Sequence, residues 1–314
     1  MSLDLVLIGS WDRSGSTIVG EVLGAAPDGV SVGELSNLWE RGIRRNRMCA
    51  CGQAFSACPF WTAVMGIAFP GAGGRRLLER VMAAASVLSN HRLLLHRLTG
   101  RSDSHRDVYA EGLGHLFRAV QEVSARSVVV DSSKVPWHVD AAMSIADATP
   151  WLLHMIRDPR GVVYSHQKVL PYDGDETDPD MMARQGAAFA TLGWGYRNLM
   201  ISGLWAHGPN YMRLNYEDFV TNPAVVAAAI SRPLRVEPPT FASSHSIDLP
   251  QGHSVSGNPV RFAAGPTVIR PDDEWRDSLR LAPRVAVGAV TWPLRRAYRT
   301  SASRVRSSRA VGLA

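Results

Sequence analysis

Lysine is almost missing from this 314-residue chain. Of its 34 basic residues only Lys134 and Lys168 are lysines; the others are arginines. A GC-rich genome produces that bias. It also suits anionic ligands, because the guanidinium fork grips phosphate and sulfate with paired hydrogen bonds. Long apolar runs are lacking too. No stretch approaches the roughly 18 residues of a membrane span. The opening MSLDLVLIGS has no basic leader and no cleavage site. It reads as a first core strand, and a cytoplasmic location is expected. Cysteine is scarce: Cys49, Cys51 and Cys58 lie together in CACGQAFSACPFW. Three thiols at this spacing do not supply the four ligands of a zinc site. A disulfide framework is not expected in a cytoplasmic chain. The expectation is local packing, with room for one conditional disulfide, and no metal. No basic stripe carries interleaved aromatics, so no nucleic-acid partner is expected.

What is present is the composition of a globular chain with a sizeable core: 46% hydrophobic and 20% charged residues, net charge +6. LDLVLIGS, SVVVDSSKVP and WLLHMI read as buried strands. Each is followed by a helical pattern: TIVGEVLGAA, WHVDAAMSIA and RDPRGVVYSHQKVL. GVSVGELSNLW reads as a short second strand and a turn, and YMRLNYEDF as a late strand. RRLLERVMAAASVLSNHRLLLHRL, YAEGLGHLFRAVQEVS and RQGAAFATLGWGYRNLMISGLW read as helices. Strands alternating with helices predict an α/β fold, a central parallel sheet flanked by helices. One domain is expected over 1–294, with an irregular insertion that carries the cysteines at about 40–75. DGDETDPD is an acidic loop. An Arg/Ser-rich, flexible tail is expected over 295–314.

LIGSWDRSGST, ending at Thr17, resembles a phosphate-binding loop without its lysine. Aligned on Gly15, Ser10 stands for the first glycine of a Walker loop and Ser16 for the lysine. Strand, loop and helix are in the right order. Backbone N–H groups of Ser14, Gly15, Ser16 and Thr17 can cradle an anion at the helix start. The positive charge has moved to Arg13. A lysine and Mg²⁺ serve a dense triphosphate; one arginine with small hydroxyl residues suits a less charged 5′-phosphate. A second motif is RDPRGVVYS. Arg157 follows a buried strand and can make a bidentate phosphate contact. Ser165, eight residues later, can donate to the same group.

Together these motifs resemble the sulfotransferases that depend on 3′-phosphoadenosine 5′-phosphosulfate (PAPS). In that family a loop like RSGST holds the 5′-phosphosulfate, and an Arg/Ser pair at this spacing holds the 3′-phosphate. NYEDF followed by NP, GELSNLW, the cysteine segment, DSSKVP and GNPVRF are similar to a bacterial branch of the family. The resemblance spans about 5–280. It implies a P-loop-like sulfotransferase fold, PAPS as co-substrate, no metal, and transfer of the sulfuryl group in line to a hydroxyl. Arg13 would stabilise the phosphosulfate, and Arg261 in GNPVRF would close over the 3′-phosphate.

Transfer needs a base near the acceptor hydroxyl. Glu34 resembles the glutamate that the tyrosylprotein-type enzymes carry at this place. Lys134 stands where phenol-type enzymes carry a histidine; it could meet the sulfuryl or bridging oxygens. His138, one helical turn on, is the alternative base. Two rival functions remain: a P-loop kinase using Asp131 as its Mg²⁺ carboxylate, and an inactive nucleotide-binding scaffold. The acceptor is expected to be a small molecule, carbohydrate or glycolipid. The cysteine insertion and the helix near Trp194 are expected to shape its pocket. Trp275 reads as core. The arginine-rich tail could touch an anionic membrane surface.

Overall fold

The computed structural model describes residues 3–169, 171, 182 and 184–300. The acidic stretch at 173–180 and the tail from 301 lie outside them. Strand β1 (Leu3–Gly9) runs through a loop into helix α1 (Ser16–Gly24), and β2 (Gly29–Gly33) follows. A 3-10 turn (Leu35–Asn37) and a π-helical turn (Leu38–Arg44) lead to α2 (Pro59–Ala68), α3 (Gly71–Val87), α4 (Asn90–Thr99) and α5 (Ser104–Ser124). Then come β3 (Val128–Lys134), α6 (Pro136–Ala142), β4 (Ala148–Ile156) and α7 (Pro159–Gln167). α8 (Ala187–Trp205), β5 (Tyr211–Asn215), α9 (Tyr216–Thr221) and α10 (Pro223–Leu234) follow. The last part holds β6 (Ser246–Leu249), β7 (Gly265–Val268), α11 (Trp275–Ser278) and α12 (Leu281–Thr300).

Five strands form one sheet in the order β2-β3-β1-β4-β5, and every pairing in it is parallel. The α/β reading therefore holds. Apolar side chains leave both faces, because successive residues of a strand point opposite ways. Leu3, Leu5 and Leu7 of β1 enter one core with Leu113 and Phe117 of α5. Val6 and Ile8 enter the other with Val19 and Val22 of α1. Both faces are covered, as a parallel sheet requires. Ile8 is fully buried; its side chain contributes about 1.5–3 kcal/mol of burial. Ile8→Ala would cost that and the cavity it leaves.

Several local readings shift. The long helix expected between 75 and 98 is two helices, because Ser89 accepts the Arg92 amide at 3.2 Å and caps a new start. The late strand stops at Asn215. Tyr216–Thr221 is helical, with Glu217 and Asp218 in the first turn where the helix N-terminus favours them. Within the stretch expected to be irregular, Pro59 opens helix α2 at a first-turn position that needs no N–H donor. The helix α12 runs through the expected boundary at 295. Its Val287 and Tyr298 are buried, and Arg295 donates to Asp158 at 3.1 Å.

Candidate active site

β1 lies between β3 and β4, so the chain leaves its carboxyl end toward β2 on one side and later toward β4 on the other. A crevice opens at such a switch point. Here it is a cavity of about 670 Å³, large enough for a nucleotide-sized ligand. Six cationic side chains line it (Arg13, Arg41, Lys134, Arg157, Lys168 and Arg270), against the carboxylates of Asp12, Glu34 and Asp272. The excess of positive charge marks an anion site.

The loop after β1 forms one wall. Gly15 precedes α1 in a left-handed conformation, φ 88°, and no side chain caps the helix. The first-turn amides of Ser16 and Thr17 are thus left for an anion at the positive end of the helix. Glycine is required at 15 twice over: a Cβ there would also meet the Tyr216 ring at 2.5 Å. Arg13 lines the cavity and has φ 64°, while Lys134 has φ 69°. Two non-glycine residues held in this sparse region at one cavity are strain of the kind functional sites retain. The Ser14 hydroxyl is buried without a hydrogen-bond partner. Thr17 Oγ1 accepts the Asn258 amide at 3.2 Å, which binds the loop to the C-terminal segment.

Arg157 and Ser165 stand in the adjoining wall, on the loop after β4 and on α7. The Arg157 guanidinium is engaged. It donates to the Arg13 carbonyl at 3.0 Å, to Asp272 Oδ2 at 2.8 Å and to the Asp272 carbonyl at 3.1 Å. It also lies over the Tyr216 ring, 4.6 Å from its centroid. Asp272 is therefore a site residue that no sequence motif marks. Arg261 does not line the cavity. It is 1% exposed, and its Nη1 donates to the carbonyls of Met48 at 2.9 Å and Ser254 at 3.2 Å. It clasps the cysteine segment to the C-terminal segment. From the same region Ser256, Gly257, Asn258 and Arg270 reach the wall instead.

Glu34 and Lys134 meet at the carboxyl ends of the neighbouring strands β2 and β3. Lys134 Nζ donates to Glu34 Oε1. Asn37 donates to Glu34 Oε2 at 2.8 Å, and the Glu34 amide to the Ser256 carbonyl at 3.1 Å. The setting of the carboxylate is thus polar rather than apolar. Asp12 lies 4.0 Å from Lys134 Nζ. Burial opposes its charge, but Lys134, Arg197 and Arg13 outweigh it and hold the carboxyl below its ordinary value. His166, on α7 beside Ser165, lines the same cavity. Burial pushes it down to about 4, against Asp12 and with help from Arg13 and Lys134. It is a neutral base at pH 7. Its only sequence signal was adjacency to Ser165.

His138 faces away. It is fully buried, with Nε2 2.7 Å from Asp131 Oδ2 and Nδ1 2.8 Å from the Tyr109 hydroxyl. Trp39 Nε1 donates to that hydroxyl at 3.1 Å. The other Asp131 oxygen accepts the Ser133 amide at 2.8 Å and the Ser133 hydroxyl. Neither His138 nor Asp131 lines the cavity. Trp194 is also fully buried, and its Nε1 donates to the Arg157 carbonyl at 3.0 Å; it supports the site rather than a pocket. Trp275 is buried, as expected of core. The cysteines do not line the cavity either. The fourth donor that their spacing lacks comes from His253, whose Nδ1 lies 3.3 Å from Cys58 Sγ. No helix among the described residues is long and apolar enough to cross a membrane.

Comparison with curated protein sequences found no match. Among solved structures, the chain is similar to the sulfotransferase domain from the Synechococcus PCC 7002 olefin synthase. Identity is 17%, covering 92% of this chain and 94% of that one, with a TM-score of 0.45. It is also similar to the sulfotransferase domain from the curacin biosynthetic pathway, at 15% identity over 93% and 98% of the two chains and a TM-score of 0.47. A family model described as the sulfotransferase family matches residues 5–239. That span takes in the loop after β1, Glu34, Lys134, Arg157 and Ser165, and the chain belongs to the sulfotransferase family.

Proposed function

We propose that the protein moves the sulfuryl group of PAPS to a hydroxyl acceptor, leaving adenosine 3′,5′-bisphosphate. The observation that carries this reading is the joint cavity. One space is bounded by the uncapped start of α1, by Arg157 and Ser165, and by the Glu34–Lys134 pair. The 5′-phosphosulfate goes to the loop amides and Arg13, and the 3′-phosphate to Arg157 and Ser165. The acceptor oxygen attacks sulfur, and the bond from sulfur to the bridging oxygen breaks. The electron pair stays on the 5′-phosphate, where Arg13, the amides and Lys134 meet the growing charge. Glu34 takes the acceptor's proton once Lys134 turns from it to the bridging oxygen. A small molecule, carbohydrate or glycolipid is the acceptor class, entering beside Arg41 and Asn37.

The kinase alternative is disfavoured by Asp131. Its two oxygens are committed to Ser133 and His138 inside the fold, so it offers nothing to a metal–triphosphate in the cavity.

The test is a titration with PAPS and with adenosine 5′-phosphosulfate, which lacks the 3′-phosphate. Arg157→Ala should weaken PAPS binding and leave the shorter ligand nearly unchanged. Hydrogen bonds to a charged group are worth about 1.5–3 kcal/mol, or roughly 10- to 150-fold. Asp272 already occupies the guanidinium and must be displaced, so about 10-fold is expected, at the lower end of that range. Equal losses for both ligands would make Arg157 structural and overturn the placement of the 3′-phosphate.

A further inference from the structure

Cys49, Cys51, Cys58 and His253 place four donor atoms within 4.8 Å of one another. Two of the sulfurs, Cys51 and Cys58, are 3.6 Å apart. His253 Nδ1 lies 3.3 Å from Cys58 Sγ and 3.8 Å from Cys49 Sγ. A tetrahedral zinc with ordinary bond lengths spaces its sulfurs about 3.8 Å apart, and sulfur from nitrogen about 3.6 Å. The two sulfur–nitrogen separations lie on either side of the second value, and the Cys51–Cys58 separation is close to the first.

The surroundings hold each donor in place. Gly52 turns the chain with φ 84°. The Cys49 amide donates to the Gln53 carbonyl at 2.8 Å, and the Gly52 amide to the Cys49 carbonyl at 2.9 Å. This tight turn presents Cys49 and Cys51 side by side. Cys58 stands just before Pro59, at the start of α2. His253 comes from 195 residues further along. Its ring stacks on Phe60, 4.7 Å between centroids and 8° from parallel, and Trp61 Nε1 donates to its carbonyl at 2.7 Å. Cys49 and Cys58 are fully buried.

We propose that these four residues form a structural zinc site that fastens the C-terminal segment over the anion cavity. Four protein ligands of Cys₃His type close the coordination sphere, which marks a structural rather than a catalytic metal. On binding, the three thiols lose their protons to solvent and the imidazole binds as the neutral ring. The residues that follow His253 explain what the site is for. Ser256 accepts the Glu34 amide through its carbonyl, and the Asn258 amide donates to Thr17. The metal thus fixes the short segment that touches both the Glu34 turn and the phosphate loop. The metal assignment itself does not depend on the identity of the donor nucleotide.

Metal content of the full chain, purified without chelator, is the first measurement. One zinc per chain is expected. Exchange with Co²⁺ should give the ligand-field and thiolate charge-transfer bands of a tetrahedral sulfur-rich site. His253→Ala should lose them, and His253→Cys should keep them by supplying a fourth sulfur. Stripping the wild-type protein with a strong chelator should lower its Tm by about 5 °C or more, and zinc should restore it. A wild-type chain that stays metal-free after incubation with Zn²⁺ would overturn the proposal. So would zinc retained in His253→Ala with unchanged cobalt bands, or a Cys51–Cys58 disulfide in the protein as purified. Because a variant can fail to fold, the wild-type metal content and cobalt spectrum decide the question without it.

Discussion

Two polar clusters sit a few residues apart around β3, and they differ in where their hydrogen bonds end. In the first, Asp131, His138, Tyr109 and Trp39 pass bonds from one to the next, so that every polar side-chain atom has a partner inside the fold. In the second, Glu34 and Lys134 hold each other at the edge of a cavity, with Asp12, His166 and Asn37 around them. Both contain a carboxylate and a basic partner. A satisfied buried network rigidifies the fold. A pair whose partners can be exchanged for a ligand's atoms can do chemistry. Residue type therefore does not separate a candidate base from a brace; the direction of the remaining hydrogen-bonding capacity does.

The sharpest way to break this contrast is at Lys134. Lys134→Ala should lower the single-turnover rate with labelled PAPS by about 10²- to 10³-fold, the range for losing one preorganised donor to a developing charge. Donor Kd should change far less. A raised Kd with a normal single-turnover rate would reduce Lys134 to a binding residue. Glu34→Gln should follow at about 10²-fold, with little change in donor affinity or Tm. Turnover that survives Glu34→Gln would shift the role of base to His166, which is neutral and in the same cavity.

The sealed cluster should respond in stability rather than in rate. His138→Ala leaves Asp131 and the Tyr109 hydroxyl without their partner in the core. A loss of about 2–4 kcal/mol in unfolding free energy is expected, from the unsatisfied groups and the cavity together. Turnover per folded molecule should stay near that of the wild type. Chemical denaturation alongside active-site titration checks both. Intact stability with lost turnover would make His138 a candidate base again.

This contrast also shows what the sequence could and could not reveal. β1, β3 and β4 were legible because a two-sided strand reads as an unbroken apolar run. The loop after β1, Arg157 and Ser165 stood out as short motifs at fixed distance from those strands, and they line one cavity. The sheet then brought Glu34 to Lys134, because β2 pairs with β3. Long-range partners were not legible. Asp272 meets Arg157 across 115 residues, and His253 meets Cys58 across 195; neither spacing has a pattern. Arg261 and His138 misled for one reason. A motif position tells which residue is present, not which way its side chain turns.

The smallest effect concerns a third buried acid, Glu21 of α1. Its carboxylate accepts from the Ser31 hydroxyl at 3.2 Å and the Ser254 hydroxyl at 2.5 Å, and it does not line the cavity. Burial pushes its carboxyl from 4.5 up to about 7, against those bonds and the nearby Arg261. Below 4.5 both folded and unfolded chains hold the proton, and the group has no effect on stability. Between 4.5 and about 7 the unfolded chain releases the proton while the folded chain keeps it. Stability therefore falls as pH rises through that window, and the cost is constant above it. A tenfold change in proton affinity between the two states corresponds to about 1.4 kcal/mol, which sets a ceiling of about 3 kcal/mol. A glutamine side chain keeps the shape and cannot ionise, and the two serine hydroxyls can accept from its amide. Glu21→Gln should therefore raise Tm at pH 8 by about 2–6 °C, taking ~1–3 kcal/mol at ~2 °C each. The gain should shrink at pH 5, and turnover should not change. Thermal scans of both proteins across that range measure it. A Tm difference that is the same at pH 5 and pH 8 would mean that burial does not raise the proton affinity of Glu21 above its value in the unfolded chain, and one sealed group would then have to be reassigned.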